Sequence, residues 1–161
     1  MDDPTILLGV LIPLLAAPLC VLAGRAGARW VATAAAWSSF AFAIVALGRV
    51  REFGVLTYHL GGWAPPVGIE YRLDIVGAFV MLIVTGIAAV VLPYSWKSVE
   101  KEIAPPRHHW FYACMCLTLS GLLGIPVTGD AFNLFVFLEI SSLSTYVLVA
   151  MGRDRRAYTA A

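Results

Sequence analysis

Apolar residues do not alternate with polar ones along this chain in the rhythm of a soluble helix or strand; they come in five long, nearly uninterrupted runs. These are Thr5–Ala23, Trp30–Leu47, Ile75–Pro93, Trp110–Val127 and Ala131–Met151. A bilayer core about 30 Å thick is crossed by a helix of ~20 apolar residues, and each run meets or approaches that length. The pattern therefore predicts an all-α integral membrane protein with five transmembrane helices, at 5–23, 30–47, 75–93, 110–127 and 131–151, in a single transmembrane unit. Pro13 and Pro18 lie inside the first run. Each removes a backbone donor and invites a bend, leaving carbonyls for neighbouring helices to satisfy.

The connections differ in kind. The longest, GRVREFGVLTYHLGGWAPPVGIEYRLD at 48–74, places β-forming VLTYHL and GIEYRLD on either side of a Gly- and Pro-rich turn. A short hairpin or a loop is expected there. The connection at 94–109, SWKSVEKEIAPPRHH through its histidines, reads as a short amphipathic or polar segment ended by Pro105 and Pro106. No internal repeat or low-complexity tract interrupts the pattern.

Charge placement adds a direction. With the N-terminus outside, the inner connections hold Arg25, Arg29, Lys97, Lys101, Arg107, Arg153, Arg155 and Arg156, and the outer ones only Arg49, Arg51 and Arg72. Eight basic residues against three favour N-out and C-in. Trp30, Trp96 and Trp110 then fall near the inner interface, a boundary that suits indole rings. The leader MDD is acidic, so the first run is expected to remain in the mature protein rather than act as a cleaved signal.

Composition agrees with the pattern: 60% of the 161 residues are hydrophobic, 13% are charged and the mean hydropathy is +0.83. A net charge of +1 gives no basic field for nucleic acid. Cys20, Cys114 and Cys116 all sit in apolar runs, where small buried hydrophobes are the simpler reading than a disulfide framework or a metal site. Neither a nucleophile–base pair nor a nucleotide-binding loop is visible, so no enzyme chemistry, metal or cofactor is expected.

The residue out of place is Glu139, the single charge inside the five runs. An acidic residue at a helix centre costs roughly 2.5–3.5 kcal/mol to insert, while each Leu, Ile, Phe or Val returns about 0.3–0.6 kcal/mol. Eleven such residues surround it in this run, on the order of 5 kcal/mol in favour of insertion. The helix inserts with its carboxyl aboard. At 100° per residue, Phe132, Phe135, Val136, Ser142, Leu143 and Tyr146 share the face of Glu139. Ser142 and Tyr146 are thus candidate hydrogen-bond or water-organising partners, and a hydrated pocket inside a bundle is expected. Burial without a cation favours the protonated carboxyl, whereas a nearby Lys or Arg favours the ion. A group so placed can trade protons when a partner moves, which makes Glu139 a candidate for proton translocation. The plainer alternative is a neutral carboxyl acting as hydrogen-bond glue between helices. No Lys or Arg lies inside any of the five runs, so a charged partner must come from elsewhere.

Other residues have weaker claims. Asp130 stands three positions before Asn133, an ordinary N-cap placement, with a carboxylate at the mouth of a path as the alternative; Asp74 has the same ambiguity. His108 and His109 are candidates for an interfacial proton relay or for simple interfacial anchoring. Being adjacent, they point to different sides of a helix and do not suit one shared metal.

GGWAPPVGIEYRLD and TGDAFNLFVFLEISSLSTYVLVAMGRDRRAYTAA closely resemble the antiporter-like subunits shared by Mrp-type multisubunit sodium/proton antiporters and respiratory complex I, and within them the Mrp D subunit. The resemblance extends over nearly the whole chain, and LFVFLEISSLSTY is its most specific part. It implies a multi-pass subunit of a hetero-oligomeric complex in the cell (inner or plasma) membrane that moves protons and Na+. It also implies that the fifth-helix glutamate, here Glu139, is essential and pairs with a lysine on a later broken helix. That lysine and the inverted repeat are absent from these 161 residues, which are expected to be the N-terminal portion of a longer subunit. A proton-pumping subunit of complex I or of a membrane-bound hydrogenase is the near alternative. A short structural subunit without transport is the distant one.

Overall fold

In the computed structural model, residues 6–63 and 68–152 are described. Four helices dominate: α1 (Ile6–Phe53), α2 (Ile75–Glu102), α3 (His108–Gly124) and α4 (Ala131–Ala150). All four are long and apolar enough to cross a membrane, α3 together with its short 3-10 flanks. Two strands, β1 (Leu56–His59) and β2 (Glu70–Leu73), lie between α1 and α2.

At 48 residues α1 would be about 72 Å long if straight, more than twice a bilayer core. It is not straight. Gly24 adopts φ 63° and ψ −166°, a conformation that side-chain-bearing residues rarely adopt. The chain reverses there, so residues 6–23 and 25–53 lie side by side. Their pairing is close: a Cβ built on Gly9 would sit 2.9 Å from the ring of Phe42, and the Cys20 thiol reaches the Ala28 carbonyl at 3.5 Å. Buried alanines along both arms, among them Ala16, Ala17, Ala28 and Ala36, allow this approach, because association in lipid depends on backbone proximity rather than on apolar bulk. Helix geometry is maintained through Pro13 and Pro18. On the turn preceding Pro13, the buried Ser120 hydroxyl of α3 donates to the Val10 carbonyl at 3.0 Å, which ties the first arm to α3.

The helices outrun the apolar runs. The second arm of α1 continues to Phe53 and stops where Gly54 takes φ 78°. Continuing beyond Pro93 to Glu102, α2 reaches a length of about 42 Å for 28 residues. Polar segments such as SWKSVEKE carry good helix formers, so hydropathy ends before helicity does. Asp74 caps α2, accepting from the Gly77 amide at 2.7 Å. At the far end Ile103 closes the helix, ahead of the Pro105–Arg107 turn that leads into α3.

The strands form an antiparallel hairpin in the register Leu56↔Leu73, Thr57↔Arg72, Tyr58↔Tyr71 and His59↔Glu70. Residues 64–67 of the intervening turn lie outside the described residues. Leu56, Tyr71 and Leu73 are buried, so one side of the hairpin packs onto the bundle. Its free edge is also engaged: Tyr71 bridges to Thr128, and the Gly129 amide donates to the Glu70 carbonyl at 2.8 Å. The hairpin thereby holds the connection that enters α4.

Candidate functional site

α4 starts from a defined point. Asp130 has an extended backbone and accepts from the Asn133 amide at 2.7 Å, so its carboxylate caps the helix. Its second oxygen and the side-chain Nδ2 of Asn133 are buried without a partner among the described residues.

One face of α4 then packs on α3. Asn133, Phe137, Ser141 and Ser144 are its buried residues, spaced at three and four as a single helical stripe requires. Gly121 and Gly124 of α3 admit this stripe. A Cβ on Gly121 would lie 2.8 Å from that of Ser141, and one on Gly124 would enter the Phe137 ring. Tyr71 of β2 meets Phe137 edge-on, with centroids 6.4 Å apart. The hydroxyls below Glu139 largely serve their own helix: Ser141 donates to Leu138, Ser144 to Ile140 and Thr145 to Ser141, at 2.7–2.9 Å. Such back-bonding leaves no donor for a neighbour.

The opposite face is bare. Glu139 is exposed, as are Phe132, Phe135, Leu143 and Tyr146. Ser142 is half-buried beside them. These residues do lie on one face, but it looks away from the other described helices rather than into a pocket among them. Among the described residues, neither Ser142 nor Tyr146 hydrogen-bonds the Glu139 carboxylate, and no basic side chain contacts it.

The other candidates are spread along the bundle. Asp130 stands at the hairpin end, about 13 Å along the axis from Glu139. His108 and His109 open α3 at the end where Gly24 turns α1. Buried His108 engages the Ile103 carbonyl through Nε2 at 3.1 Å. His109 instead leans on Trp110, with ring centroids 5.4 Å apart. The structure therefore brings neither histidine to Glu139.

Sequence reasoning missed a cluster at that same end. The Arg29 guanidinium lies over both Trp96 and Trp30, 5.2 and 5.7 Å from the ring centroids, and 3.5 Å from Glu100. Trp96 also meets Trp30 edge-on and donates to the Thr33 hydroxyl. The tryptophans were legible as boundary residues. Their stacking on one arginine was not, because it joins segments 67 positions apart (96 minus 29) in the sequence.

No family model matches the chain. The comparison with individual proteins decides its kinship. It is 38% identical over 156 residues to the N subunit of the NADH-quinone oxidoreductase of Desulforudis audaxviator, a match covering 94% of this chain and 31% of that protein. It is 30% identical over 149 residues to the D component of the Na(+)/H(+) antiporter of Bacillus subtilis, covering 91% and 30% respectively. The chain belongs to the antiporter-like subunit family. It spans about a third of the length of the relatives it matches, and this partial span fits the N-terminal portion of such a subunit. The fold recurs in a solved complex, the membrane-bound sulfane sulfur reductase, described as an archaeal respiratory membrane complex. That match has a TM-score of 0.89 at 27% identity and covers 98% of this chain and 32% of the other. An antiporter-like, multi-pass membrane subunit is accordingly what the chain is similar to in sequence and in fold.

Proposed function

We propose that the chain forms the N-terminal part of a subunit of a multisubunit monovalent cation/proton antiporter of the Mrp type, exchanging protons for Na+ in the cell membrane. In this reading the two arms of α1, with α2, α3 and α4, make five crossings, with the hairpin end outside and the Gly24 end inside. Glu139 is the residue that takes up and releases the proton.

One observation carries the reading: Glu139 stands mid-helix on a face left exposed among the described residues. A carboxyl in that position is unfavourable against lipid. A neighbouring helix bundle offers it water, hydroxyls or a cation. Partners on other elements, moving between states, would then set whether the carboxyl holds its proton. Asp130 and the two histidines, at opposite ends of the bundle, would serve as entry or exit groups at the membrane surfaces.

The test is Glu139→Gln in the complete complex. Cation-driven proton exchange in membrane vesicles is expected to disappear while assembly is retained. Unchanged exchange would remove Glu139 from the mechanism. The similarity to a NADH-quinone oxidoreductase subunit favours a second reading, a proton-pumping subunit of a redox-driven complex. Co-purification with flavin or iron–sulfur subunits would select it over the antiporter.

A further inference from the structure

At the Gly24 end of the bundle, a cavity of about 240 Å³ opens between the α1 turn, the last turns of α2 and the start of α3. Arg25, Arg29, Trp96, Glu100, His108 and Tyr112 are among its lining residues. We propose that this cavity binds the phosphate of an anionic phospholipid headgroup. The inference rests on the chain spanning a membrane, not on Glu139 carrying a proton.

Charge is the first argument. Two guanidinium groups face one carboxylate, and among the described residues Glu100 engages only Arg29 Nη1, at 3.5 Å. Arg25 has no ion pair among the described residues, and it is exposed at the turn. The cavity therefore keeps an unbalanced positive charge.

Preorganisation is the second. Arg29 rests against the edge-packed pair of Trp96 and Trp30 rings and is tethered by Glu100, so its planar fork is positioned before any ligand arrives. A guanidinium fixed in this way matches phosphate oxygens in pairs, with less entropy left to lose. Trp96 is itself anchored to Thr33, and His108 is fixed by the Ile103 carbonyl.

Location decides the source of the phosphate. Trp30 and Trp110 are exposed at this end, where aromatic belts mark the headgroup level of a bilayer. Lys97, Lys101 and Glu102 line a second hollow that shares Trp96, where two cations against one carboxylate extend the net positive charge around the cavity. A lipid phosphate arrives at that depth already confined to two dimensions, whereas a free phosphate must leave bulk water. Basic pockets between transmembrane helices take lipid headgroups in this manner.

The experiment uses the complete membrane assembly, reconstituted with a phosphatidylglycerol that carries a photoactivatable group on its headgroup, with adducts mapped by mass spectrometry. Adducts are expected on peptides around residues 25–30 and 96–112, with few from the equivalent phosphatidylcholine. Arg25→Gln, at an exposed position that leaves the packing alone, should lower the yield about fivefold. Arg25→Gln combined with Arg29→Gln should lower it further, and Arg25→Lys should restore most of it. Excess unlabelled phosphatidylglycerol should compete, whereas inorganic phosphate at matched ionic strength should not. Equal labelling by phosphatidylcholine, an Arg25→Gln yield equal to wild type, equal competition by inorganic phosphate, or no adduct in these segments would each overturn the proposal.

Discussion

The two faces of α4 are built from similar material and meet opposite fates. One carries Asn133, Phe137, Ser141 and Ser144, and it closes onto Gly121 and Gly124 with no room for an added methyl group. The other carries Phe132, Phe135, Glu139, Leu143 and Tyr146, and it is left exposed among the described residues. Both faces are apolar with a scatter of polar groups. What separates them is the partner helix: small residues on α3 create a seam for the first, and no element among the described residues presents one to the second. The packed face is thus a structural contact completed within these residues. The bare face carries Glu139, and the proposed function assigns its partner to elements outside the described residues.

That contrast can be broken by substitution. The largest effect is expected at Phe137→Ala, which empties the seam between α3, α4 and β2. A loss of about 3 kcal/mol is expected for an aromatic removed from a packed site, read as a lowered midpoint in denaturant-induced unfolding in detergent. A smaller loss of ~1 kcal/mol is expected from Asp130→Ala, which removes the cap on the Asn133 amide. Amide hydrogen exchange should then quicken in the first turn of α4 and stay unchanged in α3. On the bare face, Leu143→Ala should shift the stability of this part of the chain by no more than about 0.5 kcal/mol. A loss at Leu143 as large as that at Phe137 would mean that the two faces are not different in kind.

Much of this architecture was readable from residue order. The five apolar runs fall on four helices, the first two of them within the single element α1, β-formers around a Gly- and Pro-rich stretch fall on the hairpin, and Asp74 and Asp130 announced the caps that they make. Helix ends were less readable. Lys97 to Glu102 are polar except for Val99 yet helical, so hydropathy alone stops too early. Orientation of α4 was not readable at all. Periodicity groups Glu139 with Ser142 and Tyr146, and that grouping holds, but it cannot say whether the group points inward. Gly121 and Gly124 settle the question, and their effect depends on a contact between separate helices. The Arg29–Trp96–Glu100 cluster escaped for the same reason, since it forms only when α1 and α2 lie side by side.

The central claim concerns one proton on one carboxyl. Infrared difference spectroscopy of the complete complex, recorded as a cation gradient is applied and released, reads the carbonyl stretch of protonated carboxylic acids. The account predicts a reversible band that is present in the wild type and lost in Glu139→Gln. A band that persists unchanged in Glu139→Gln would assign the proton to another group and contradict it.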